Sequence, residues 1–150
     1  MIDYYNITDK LKTALLAEPF CNTVTKGTID RVMNAKQDMY PLSHLMINSC
    51  TPNGNTLTYN VSILSMDIVD ISKIATIDTF VGNDNEDDVL NNMQLLLVRI
   101  VELLRRGDLY DEHYILGSAN LEPFMDRFED AVAGWTLTLD IIVPNGMTIC

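Results

Sequence analysis

Gly134-Trp-Thr-Leu-Thr-Leu-Asp-Ile-Ile-Val-Pro144 is the stretch that decides the fold. Trp135, Leu137, Leu139, Ile141 and Val143 alternate with Thr136, Thr138 and Asp140, and only Ile142 breaks the pattern. A period of two predicts a strand with one buried and one wetter face. Gly134 and Pro144 punctuate its ends. Clean alternation favours an antiparallel sheet, because parallel strands covered on both faces read as continuous apolar runs. The strand should be central, with its odd-numbered side chains buried.

Upstream, Tyr114 to Leu121 reads as extended. Pro123 inside the next run predicts an edge or a break there. Before that lies the clearest helix. Asp84 or Asn85 caps it, and Glu86, Asp87 and Asp88 sit where the helix dipole favours negative charge. Val89, Met93, Leu96, Leu97, Ile100, Leu103 and Leu104 form one stripe at helical spacing. Arg105 and Arg106 close the last turn, and Gly107 is the expected terminating glycine. Asp108 to Glu112 reads as a link.

A long hairpin precedes this helix. Leu42 to Cys50 is extended, Thr51 to Asn55 is a turn cluster with Asn53-Gly54 at its tip, and a return strand runs from Thr56 to about Val69. Leu57, Tyr59, Val61 and Ile63 share one parity, whereas Leu64, Met66 and Ile68 share the other. Either a bulge at Ile63-Leu64 restores the face, or the far half of the strand leaves the sheet. A strand this long exceeds the usual length, so the hairpin is expected to project towards a neighbour. Ile71 to Phe80 reads as a mixed connector.

At the start of the chain, Ile7, Leu11, Ala14 and Leu15 predict a helix capped by Thr8 or Asn6, with Asp9 in its first turn and an end before Pro19. Cys21 to Gly27 is a short β-like piece. Thr28 to Tyr40 is polar, and Asn34 to Gln37 is expected to be an exposed loop. The sum is an α+β fold, a meander-like antiparallel sheet with a long β-hairpin and two helices packed on one face.

The 150 residues fit one domain, 1–150. No apolar run reaches the eighteen or so residues that span a bilayer, and the first residues lack the pattern of a signal peptide. A soluble protein made in the cytoplasm is expected. The formal net charge of −11 argues against a domain that grips nucleic acid. The three cysteines, Cys21, Cys50 and Cys150, are scattered without metal or redox spacing, which favours reduced thiols.

Candidate chemistry is sparse. Asp84, Glu86, Asp87 and Asp88 lack the glycine and terminal glutamate of a calcium loop, so an acidic helix start accounts for them. His44 and His113 have no partner nearby in sequence. Cys21 and Cys50 read as buried or idle thiols. Gly82 and Gly107 do not form a phosphate-binding loop. Eight methionines read as core filler before they read as an adaptable interface. No catalytic, cofactor-binding or metal residue is therefore assigned, and a part of an assembly is expected rather than an enzyme.

The segment Glu122-Pro-Phe-Met-Asp-Arg-Phe-Glu-Asp-Ala-Val-Ala-Gly-Trp-Thr-Leu-Thr-Leu-Asp-Ile-Ile-Val-Pro144 resembles the C-terminal end of small tail-completion and neck proteins of tailed bacteriophages. Those carry a phenylalanine, a Gly-Trp pair, alternating apolar residues and a final Val-Pro. The likeness is greatest to phages of Bacteroidetes, including the crAss-like group. Asn34 to Gln37 with Tyr40-Pro41, and the order of long hairpin, long helix and final strands, fit the same group. The element order is also similar to the tail-terminator fold. The resemblance implies a virion protein that forms a hexameric or dodecameric ring at the head–tail junction. Such a ring joins portal and adaptors to the tail, around a channel through which DNA passes without specific binding. It implies assembly in the bacterial host cytoplasm, no membrane, and no catalytic residues. Outside this family, an acidic adaptor module or a small enzyme with a dispersed site stays open.

Overall fold

The computed structural model describes residues 2–29, 39–69, 77–80, 85–127 and 132–147; of Asp126 and Arg127 only the backbone is described. Three sequence expectations lie outside these residues: the exposed loop at Asn34 to Gln37, most of the connector after Ile71, and capping by Asp84.

The fold is α+β, a five-stranded, mostly antiparallel sheet with helices on one face. Its strands are β1 (Thr23–Lys26), β2 (Leu42–Asn53), β3 (Thr56–Ile68), β4 (Ile115–Arg127) and β5 (Val132–Pro144), in the spatial order β1-β2-β3-β5-β4. The deciding stretch is β5. It pairs antiparallel with β3 from Val132 to Pro144 and with β4 on its other side. Leu137, Leu139, Ile141 and Val143 are buried, as the alternation requires. Trp135 is the exception, half-buried rather than buried. Its indole Nε1 donates to the Leu90 carbonyl at 2.8 Å, which places the ring between the sheet and α2 (Glu86–Arg106).

The sheet is not wholly antiparallel. β1 runs parallel to β2, from Thr23 opposite Leu42 to Lys26 opposite Leu45. The Pro41 carbonyl accepts from both Asn22 N and Thr23 N, so the returning chain enters β2 beside the start of β1 and in the same direction. The central strand is β3 rather than the expected β5, which lies one place in from the β4 edge, and alternation in β5 carries no information about the short pair at the other edge.

The long hairpin forms, with Gly54 at φ +66° in the turn, a left-handed conformation that glycine adopts without strain. Neither expectation for its parity change holds. β3 is regular through Ile63 and Leu64 and stays paired with β5 to Ile68. The bulge lies instead in β2, where the register shifts between Ile47 and Ser49. The parity changes because β3 is covered on both faces. Val61 and Ile63 face the helices, while Leu64 and Met66 join Tyr40, Leu42 and Val132 in a second apolar cluster on the other side. Nor does the hairpin project by itself. β5 accompanies β3 to Thr56, and Asn145 closes on the turn through Asn145 N to Asn55 O at 2.8 Å and Nδ2 to Gly54 O at 3.0 Å.

Helix α1 (Tyr4–Leu16) begins a turn earlier than expected. Asp3, not Thr8 or Asn6, is the cap, its carboxylate accepting from Asn6 N at 3.0 Å. Thr8 is inside the helix and its hydroxyl turns back to the Tyr4 carbonyl, so Asp9 is beyond the first turn. Ile7, Leu11 and Leu15 pack with Leu96, Leu97, Ile100 and Leu104 of α2 against β3 and β5. Each fully buried aliphatic side chain contributes about 1.5–3 kcal/mol, so this layer is the main source of stability.

Helix α2 has the expected stripe, except that Val101 is buried and Leu103 is half-buried. Gly107 ends it in an extended conformation, at φ −111°, rather than a left-handed one. A Cβ there would lie 2.8 Å from Leu103 Cα, so close approach explains the glycine. The link beyond it is a short helix, α3 (Asp108–Asp111). β4 is an edge strand with Pro123 inside it and register shifts at Leu116/Ala119 and Phe124/Arg127.

Candidate interaction surfaces

The residues weighed as chemistry in the sequence do not converge. Glu86, Asp87 and Asp88 occupy the first turn of α2, where the helix dipole accounts for them. Among the described residues, no group of three His, Cys, Asp or Glu side chains has the arrangement to hold a metal ion. His113 is exposed after α3, at φ +73°. Gly82 and Cys150 lie outside the described residues.

His44 is fully buried in β2. Its Nε2 faces the Gly27 carbonyl at 3.1 Å, which only accepts, so Nε2 carries the proton. Nδ1 meets the Thr25 hydroxyl at 2.7 Å and accepts from it in the neutral ring. The imidazole thus pins the end of β1 to β2, a structural task. Cys21 is half-buried at 3.6 Å from the Ser43 hydroxyl, which bonds Ser65 at 2.8 Å. Burial pushes the Cys21 thiol above its ordinary pKa, the opposite of a reactive nucleophile. Cys50 is exposed on β2. Met66 and Met93 fill the core, while Met125 and Met147 are exposed.

Three surfaces remain. The first is a groove of about 940 Å³ between α1 and α2. Ala14, Ala17, Phe20, Leu95, Val98 and Leu109 supply its apolar lining. Arg99–Glu18 at 2.7 Å and the Lys10–Glu112 pair add charge along it. Leu95 is 53% exposed, a large apolar side chain outside the helix stripe. That position was the available sequence signal for this surface.

The second surface is a polar ladder on the sheet face away from the helices. Asn48 Nδ2 donates to Asn60 Oδ1 at 2.9 Å and to Ser62 Oγ at 2.8 Å. Asn60 Nδ2 donates to Asp140 Oδ1 at 2.9 Å, and Ser118 Oγ donates to Asp140 Oδ2 at 3.0 Å. One chain of side-chain bonds therefore crosses β2, β3, β5 and β4. Sequence reading placed Asp140 on the wetter face but missed its partners, because their alignment depends on the bulges at Asn48 and at Gly117-Ser118.

The third surface is the outer edge of β2 beyond β1, as far as the described residues go. β1 covers β2 only from Leu42 to Leu45, and no described residue pairs with the outer edge from Met46 to Asn53. Residues 48–53 are exposed.

Arg105 and Arg106 are exposed, and both pair with Glu102, at 3.2 and 3.0 Å. One carboxylate serves both, which leaves a single net positive charge from these three side chains, too little for a phosphate-binding patch. No helix among the described residues is long and apolar enough to cross a membrane. Comparison of the chain with protein-family models and with curated proteins finds no match.

Proposed function

We propose that this protein is a non-catalytic structural subunit of a ring at the head–tail junction of a tailed bacteriophage. It would join portal or adaptor to tail and surround the DNA channel. The observation that carries the reading is where the resembling segment falls. Gly134 to Pro144 is an interior strand of the sheet, between the central β3 and the edge strand β4, so the likeness concerns the framework rather than a peripheral tail. A ring also needs two unlike patches that meet head to tail. The apolar α1–α2 groove and the polar sheet face, on opposite sides of the molecule, are unlike in this way. The net charge of −11 suits a channel from which phosphates are repelled.

The test is the mass of the purified protein by native mass spectrometry, with negative-stain images. Closed rings of six or twelve copies, alone or on addition of portal or tail proteins from the same phage, are expected. A monomer under all these conditions overturns the proposal. The groove favours a second reading, an adaptor that takes an amphipathic helix between α1 and α2. A monomer that binds such a peptide, and loses it in Leu95→Lys, would support that reading instead.

A further inference from the structure

We infer that Asn145-Gly146 is a self-modification site, where loss of ammonia from one side chain releases a latch on the hairpin turn. The inference is independent of the ring proposal. An asparagine followed by glycine is open to attack by the next main-chain nitrogen, because glycine has no Cβ in the way. The Gly146 nitrogen bonds to Asn145 Cγ, the Cγ–Nδ2 bond breaks, and the proton from the Gly146 amide leaves with Nδ2 as ammonia. Water then opens the cyclic imide at one of its two carbonyl carbons, which restores the amide N–H and leaves a carboxylate. The product is aspartate, or isoaspartate with its main chain routed through the former side chain. Asn-Gly occurs twice in the chain, as Pro52-Asn53-Gly54 and as Pro144-Asn145-Gly146. Both lie at the same end of the sheet, where Asn53 and Pro144 flank Thr56.

The structure separates two sites whose immediate neighbours in sequence are identical. Asn53 is the last rung of the β2–β3 ladder, and Gly54 is fixed in the turn at φ +66°. Ring closure folds the glycine nitrogen back against the asparagine side chain. That needs a ψ far from the extended value, so Asn53 cannot react without opening the ladder end. Asn145 lies just past the end of β5. Gly146 is exposed, and no hydrogen bond among the described residues engages its nitrogen. Met147 N donates to Asn145 Oδ1 at 3.1 Å and draws electron density from Cγ, the atom under attack. The group that departs is the latch itself. Nδ2 donates to the Gly54 carbonyl at 3.0 Å, beside the main-chain bond from Asn145 N to Asn55 O at 2.8 Å. After the reaction a carboxylate oxygen stands where the donor was, and two acceptors face each other. The isoaspartate product also lengthens the main chain by one carbon before Gly146.

Peptide mapping by mass spectrometry provides the test, since each conversion adds one dalton. The purified protein is held in warm, mildly alkaline buffer and sampled over days. In the folded chain Asn145 should convert about tenfold faster than Asn53, which corresponds to about 1.4 kcal/mol of barrier, close to the net worth of one backbone hydrogen bond at the ladder end. In guanidinium chloride the two sites should convert at matching rates, because Pro-Asn-Gly is common to both. Gly146→Ala should slow conversion at Asn145 alone; Gly146 does not have positive φ, so alanine meets no backbone strain there. Asn145→Asp carries the charge of the product and should fold as the wild type by far-UV circular dichroism. Hydrogen-exchange protection of the main-chain amide at position 145 should fall several-fold in that variant as the latch opens. Equal rates in the folded protein, faster conversion of Asn53, or an Asn145 that stays intact while the unfolded chain converts would each overturn the inference. Undiminished protection in Asn145→Asp would overturn the release of the latch.

Discussion

Replacing Gly134 by alanine tests the central packing of the sheet with a single methyl group. Gly134 is buried in β5 opposite Met66 of β3. An added Cβ would run into the Ser65 carbonyl oxygen and lie 2.9 Å from both Met66 Cα and the Ser65 carbonyl carbon. All three are backbone atoms, so no side chain can turn aside. Relief requires β3 and β5 to separate at the position where Trp135 and Ala133 join the sheet to α2. Overpacking a core costs about 1–3 kcal/mol when side chains can adjust; against backbone the upper end applies, and we expect a loss of about 3 kcal/mol or more. For a chain of this length each kcal/mol moves Tm by about 2–4 °C, so Tm should fall by about 6–12 °C. Gly134 does not have positive φ. Without the clash, alanine would therefore stabilise the strand by restricting the unfolded chain, and the sign of the change is itself informative. Urea melts followed by far-UV circular dichroism provide the measurement. Gly117→Ala is the control, because its Cβ would meet mainly the Asp140 and Ile142 side chains at 3.1–3.4 Å, and should change stability by no more than about 1 kcal/mol. A loss below about 1 kcal/mol for Gly134→Ala, or a gain, would refute the close approach of β3 and β5.

Trp135→Phe keeps an aromatic ring and removes the bond to Leu90, and should cost about 1 kcal/mol in the same melts. Trp135→Ala should cost roughly half of the 3–5 kcal/mol typical of a fully buried aromatic, since the ring is half-buried. Tyr114 and Tyr59 give the alkaline limb of stability. Burial raises both hydroxyl pKa values, and the charges of Glu112 and Asp3 act in the same direction on Tyr114. The unfolded chain then releases these protons first, so their contribution is complete below about pH 10 and is lost as pH rises through the higher folded values. Tyr114→Phe should flatten that fall, and an unchanged slope in pH-dependent melts would exclude the assignment. The isolated protein should show no measurable affinity for duplex DNA near 150 mM salt, because Arg105 and Arg106 are paired with Glu102 and the net charge is −11. A gel shift at micromolar protein would contradict this.

Periodicity determined most of what was legible. The alternation of β5, the stripe of α2 and the Asn53-Gly54 turn are local patterns, each set by which side chains must leave water within a few residues. The extent of the hairpin and the edge position of β4 followed from turn and proline chemistry. Tertiary structure alone decided which faces were covered. Leu64 and Met66 look like a register fault in sequence, yet they are core, because Tyr40 and Val132 arrive from distant parts of the chain to cover them. The parallel pairing of β1 with β2 came from the chain's return at Pro41, which no strand pattern encodes. The polar ladder from Asn48 to Ser118 depends on register across four strands. Such surfaces are properties of alignment between segments far apart in sequence, whereas a hydrophobic period reports only on the segment that carries it.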